Sequence, residues 1–246
     1  MTWITGAASE PAPAAGALSD VEMWRHEAGR LGWATGCAPV VAVVAVGAVA
    51  VLAAGDGAGR PQVSLVLLTG LEALLPLAVA MAATSVVGTD RARELHLSLP
   101  TRYATVLGRR LALLAGATAV VAVVFTGVLW AAGLWSGPPV AASPLLWAPA
   151  TAWLGALAVF VALLTRSLLL ATTAAGGVWL AHQLFASGFA AHAWARPLYL
   201  FPVSRLDAYP GWMTDRLLLT ATIVPFAVGV VILLRRPERM LTEEDM

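Results

Sequence analysis

The chain has 246 residues, of which 59% are hydrophobic and only 12% charged, with a formal net charge of +1 and a mean hydropathy of +0.80. A soluble domain would carry about 25% charged residues, so the composition excludes an ordinary soluble globular protein and predicts an all-α polytopic membrane protein. All fifteen basic residues are arginine and the single cysteine is Cys37. These counts exclude a P-loop of the GxxxxGK(S/T) type, a lysine Schiff base, an internal disulfide and a thiolate zinc cluster.

Residues 1–18 open with MTWITGAASEPAPAAG, an Ala, Pro and Gly-rich stretch with no basic n-region. It reads as a flexible tail rather than a signal peptide. Residues 19–33 (SDVEMWRHEAGRLGW) begin with the capping box Ser19 and Glu22, and place Val21, Trp24, Ala28 and Leu31 at helical spacing. With Arg25, His26 and Arg30 mostly elsewhere on the wheel, the pattern predicts an amphipathic helix lying in the membrane interface. A soluble helix preceding the first span is the alternative.

The apolar runs predict six spans, at about 33–54, 63–87, 111–134, 145–164, 168–187 and 217–234, each at or near the ~20 residues that cross a bilayer. Together they make a membrane domain over 34–234, followed by a tail at 235–246. Between the second and third spans lies GTDRARELHLSLPTRYATVLGRR, residues 88–110, a charged island with five arginines. Asp90 can cap a short helix that presents Ala92, Leu95 and Leu99 on one face, and Pro100 ends it. Such a helix at the membrane base suits docking on a soluble partner; an ordinary solvated loop with positive-inside charge is the alternative. Residues 188–216, rich in Trp, Tyr, His and Pro, are too polar to span and too aromatic for a plain loop, and are expected to be irregular or re-entrant. Six spans put both termini on one side. If that side is cytoplasmic, eleven arginines lie inside, against four outside (Arg60, Arg196, Arg205 and Arg216).

Three residues inside the spans could carry function. Glu72 is the one carboxylate well within an apolar run, where a charge costs about 2.5–3.5 kcal/mol and therefore faces protein or water. Pro76, four residues on, cannot donate to the carbonyl of residue 72 and is expected to kink the helix. Glu72 could line a pathway or bind a cation; the alternative is a protonated acid bonded to a neighbouring helix. His182 and Gln183 follow the pair Gly176 and Gly177. A polar interhelical contact is the expected role of His182, with haem ligation or proton relay as alternatives. No Ser/His/Asp order, HExxH or paired-carboxylate motif supports an enzyme.

Three segments together resemble the permease subunits of exporter-type ABC transporters, the type-2 family. The stretch at 19–33, with Trp24, Arg25 and Arg30, is similar to that family's elbow helix. The island is similar to its coupling helix through Glu94, Leu95, Leu97, Leu99, Pro100, Arg102 and Arg109. The end of the chain is similar through WMTDRLLL before the last span and RRPERML after it. The resemblance implies a multi-pass plasma-membrane subunit of bacterial type that binds no cofactor or nucleic acid. It would work as a dimer with itself or a sister chain, and dock through Arg93, Glu94, Leu95, Leu97, Leu99 and Pro100 on separate ATPase subunits that hold ATP and Mg. It implies too that the outer segment between the fifth and sixth spans forms an extracellular gate. The very short connection 165–167 and the modest outer loop depart from the family's pattern and argue against a large extracellular domain. A stand-alone ion-coupled carrier using Glu72 is the other reading.

Overall fold

The computed structural model describes residues 29, 32–88, 103–205 and 211–235, and these contain helices and turns but no strand. The N-terminal tail, Trp24, Arg25 and Arg30, the island residues Arg93, Glu94, Leu95, Leu97, Leu99 and Pro100, and the C-terminal residues from 236 onward lie outside the described residues.

Helix α1 covers Trp33–Gly55 and ends where Gly57, at φ 88°, turns the chain. Helix α2 runs over Arg60–Gly88 with Pro61 in its first turn, where a missing N–H costs nothing. It is not uniform. Residues Gly70–Leu74 form a π turn in which the Leu75 amide reaches back to the Gly70 carbonyl. Just ahead of Pro76, where a kink is expected, the helix thus widens by one residue per hydrogen-bonded turn.

Helix α3, Tyr103–Ala131, begins eight residues before the predicted third span. Arg109 and Arg110 thus belong to its second turn rather than to a polar loop, and Arg110 is buried. Arginine is a good helix former whose aliphatic stem packs on apolar neighbours, and 29 residues make about 43 Å, so these turns can extend beyond a ~30 Å hydrocarbon core. Helix α4 is Pro144–Thr165. It closes on Arg166, left-handed at φ 55°, and Ser167 then caps α5 (Leu168–Leu184) by accepting from the Leu170 amide at 3.2 Å.

The connection expected at 188–216 is largely helical where described. It comprises α6 (Ala186–Ala191), a 3-10 turn at Arg196–Leu198, α7 (Pro202–Arg205), and the start of α8 (Trp212–Ala221). Helix α9, Ile223–Leu234, follows after a break at Thr222. Pro225 explains that break, since it has no N–H for the Ala221 carbonyl.

Five helical stretches are long and apolar enough to cross a membrane: Thr35–Gly55, Arg60–Gly88, Tyr103–Ala131, Val140–Thr165 and Trp212–Leu234. Leu168–Leu184 is apolar but shorter. The chain is thus an α-helical, multi-pass membrane protein. Helices α2 and α4 form its centre, with α1, α5, α8 and α9 packed around them. Within lipid there is no hydrophobic gain from helix association, so close van der Waals fit must hold the bundle. Small residues supply it. A Cβ on Gly70 would collide with Val46 of α1, and one on Gly229 would press on Phe160 of α4.

Candidate functional site

The π turn sets Glu72 wholly inside the bundle, at 0% exposure. Its carboxylate accepts three charge-assisted hydrogen bonds. Oε1 takes one from Arg216 Nη2 at 2.7 Å and one from the Val203 amide at 3.0 Å; Oε2 takes one from the Ser204 amide at 2.6 Å. Both amides sit at the start of α7, so a carboxylate from α2 caps a helix four residues long.

Arg216, 1% exposed, completes the arrangement from the first half of α8. Its Nη1 donates to the Leu200 carbonyl at 2.8 Å and, at greater length, to that of Tyr199 at 3.5 Å. The ion pair therefore grips the strip 199–204 from both sides, the anion taking its amides and the cation its carbonyls. Tyr199, Leu200 and Phe201 are buried to 1% exposure or less. A buried charge pair offsets its desolvation only when the remaining donors and acceptors are also matched, and here the strip's backbone supplies partners for both Glu72 oxygens and for Arg216 Nη1.

Arg216, expected in the polar connection before the last span, lies in the core. Its signal in the sequence was an arginine within WMTDRLLL, at the head of one apolar run, and a lone carboxylate in another. Intramembrane charges pair, but nothing in the linear spacing joins residue 216 to residue 72.

Helix α5 adds two further anchors on one face, three residues apart. Trp179 Nε1 donates to the Ala73 carbonyl at 2.8 Å, within the π turn. His182 Nδ1 accepts from the Leu200 amide at 3.3 Å, and its ring stacks near-parallel on Phe189 at 4.5 Å and on Tyr199 at 5.9 Å. The polar interhelical contact expected of His182 is thus directed at the strip's backbone. Among the described residues, no three His, Cys, Asp or Glu side chains come together as a metal site would need. Glu72 and His182 meet the same strip at different atoms. Gln183, the third candidate, borders a separate cleft with Thr69, Gly70 and Leu74.

That cleft, about 360 Å³, lies between α1, α2 and α5. A second, about 500 Å³, continues between α1 and α2 as far as Thr35 and Ser85, and Leu74 lines both. One face of the bundle is therefore furrowed along much of its depth and is mostly apolar, with Thr35, Thr69, Ser85 and Gln183 as its polar members. No protein-family model matches the chain, and no characterised protein or solved structure matches it.

Proposed function

We propose that this chain is the membrane-spanning permease subunit of an ATP-driven exporter of the ABC type-2 class. In this reading Leu168–Leu184 also spans, as the fifth of six, about 25 Å long at 1.5 Å per residue, and both termini are cytoplasmic, at the plasma membrane of a bacterial cell. The observation that carries the reading is the apolar furrow along α1, α2 and α5. It suits half of a translocation pathway for an apolar or amphipathic cargo, completed by the same face of a second copy or a sister chain.

The coupling route follows from connectivity. The island at 88–110 joins the end of α2 to the start of α3, and Glu72 lies sixteen residues up α2 from Gly88, about 24 Å along its axis. A rigid helix moved at its base by an ATPase carries Glu72 with it. Movement of Glu72 relative to Arg216 would shift the strip 199–204 near the expected gate. With no lysine, this chain leaves P-loop ATP hydrolysis to a partner.

Affinity purification of the tagged protein from mild detergent, with mass spectrometry of what accompanies it, tests the proposal. Co-purification of a soluble ATPase carrying a P-loop lysine is the expected result. A clean preparation without one, repeated under crosslinking, rejects the proposal in favour of the ion-coupled carrier. Transport driven by a proton gradient and abolished by Glu72→Gln would then identify that carrier.

A further inference from the structure

A separate void lies on another side of α2. Val79 and Ala83 line it, whereas Ala78 and Ala82 border the furrow. Its remaining walls come from α3, α4 and α9, and its volume is about 460 Å³, within the ~300–1,000 Å³ of small-molecule sites.

Shape restricts the occupant. Along α4 the lining runs from Trp147 to Val159, about 18 Å at 1.5 Å per residue. That length exceeds one leaflet, half of a ~30 Å hydrocarbon core. Spread over it, all of the open space there, about 1080 Å³, gives a mean cross-section of about 60 Å². An α-helix with its side chains is about 10–12 Å across, or at least ~78 Å², so a helix from a second chain does not fit. A single file of methylene groups does, since carbons make contact at about 3.5–4.0 Å.

Chemistry restricts it further. The two threonines on the lining, Thr118 and Thr151, turn their hydroxyls back on their own helices, each donating at 2.7 Å to the carbonyl four residues earlier. Apart from the Trp147 ring, the other lining residues are aliphatic or glycine. Such a void is poor ground for water, and left empty it deprives its walls of dispersion contacts. Helix α9 is the wall with least support, because none of its residues is buried.

We propose that this cavity binds one acyl chain of a bilayer phospholipid, which wedges between α2, α3, α4 and α9 and holds α9 to the bundle. The site needs only a membrane-spanning bundle, so it stands or falls separately from the export reading.

The full chain, reconstituted in phosphatidylcholine vesicles containing a phosphatidylcholine with a mid-chain diazirine, is irradiated and its adducts are mapped by mass spectrometry. The expected result is a concentration of adducts on the α4 and α9 walls of the void, above the level on Val51 of α1 and Val123 of α3, which are exposed and do not line it. Adducts no more abundant on the void walls than on those valines overturn the proposal, and this arm uses the unaltered protein. A Cβ on Gly155 meets no atom within 4 Å, so Gly155→Leu can fill the void without moving backbone. It should abolish the void-specific adducts and leave those on Val51 and Val123 unchanged. Ala227→Leu, from the facing wall, should do the same. Undiminished void adducts in either folded variant also overturn the proposal.

Discussion

Arg216 and Glu72 stand 144 positions apart in the chain, yet a guanidinium nitrogen of one lies 2.7 Å from a carboxylate oxygen of the other, with the side chains 1% and 0% exposed. The pair crosses from α8 to α2 and takes hold of the backbone between α6 and α8. Its members are not equivalent, because Glu72 also caps two amides of α7, whereas Arg216 meets carbonyls just ahead of them.

That asymmetry predicts a ranking. Breaking a buried pair costs about 3–5 kcal/mol, so Arg216→Met and Glu72→Leu should both lower the unfolding midpoint in detergent clearly. Glu72→Leu should be worse, since it leaves the guanidinium and the Val203 and Ser204 amides without their acceptor. Removing the arginine leaves the carboxylate its two amide bonds. The double variant should recover part of the loss but fall short of wild type. An Arg216→Met protein less stable than Glu72→Leu would contradict this account of the site.

The contact of α1 with α2 depends on the missing side chain at Gly70. Gly70→Ala should destabilise by about 1–3 kcal/mol, the usual range for overpacking, because the added methyl meets Val46. Val46→Ala should rescue much of that loss. Unfolding curves of the two single variants and the double variant give the coupling directly, and additive effects would show that the two positions do not touch.

His182 contributes an acceptor rather than a charge. Replacing it by Leu leaves the Leu200 amide buried without a partner, a loss of about 1–3 kcal/mol. Local opening should concentrate where that bond was. Hydrogen exchange read by mass spectrometry should quicken in the peptide containing 199–204 and stay unchanged in α3. Uniform quickening across the chain would mean that His182 supports the fold only generally.

Coupling through the island rests on the exporter proposal. Glu94→Arg and Leu97→Asp should each lower ATP hydrolysis by the partner ATPase in the reconstituted complex, with the membrane part still eluting as a single folded species. Full hydrolysis in both variants would remove the island from the coupling route.

Much of the fold was legible because a bilayer imposes length and polarity on each span locally. The breaks at Gly55–Arg60 and at Thr165–Leu168 mark where the apolar runs end. Pro76 marks a weak point in α2 because proline lacks a donor wherever it sits, but the π turn at Gly70–Leu74 depends on what packs beside it. The start of α3 was misplaced because Arg109 and Arg110 read as loop charges, whereas helical geometry and long stems let them stay in a helix.

The site divides in the same way. By itself the sequence determined that the chain belongs in a membrane, that it has no lysine with which to build a P-loop, and that Glu72 must turn to protein or water, since a charge facing lipid is too costly. Only the tertiary structure decided that the partner is Arg216, that His182 serves the Leu200 amide, and that the strip 199–204 is the object both hold. The physical reason is that desolvation is a property of one residue and can be read at one position. Pairing is a property of two, and it exists only once the bundle has brought distant turns within hydrogen-bonding distance.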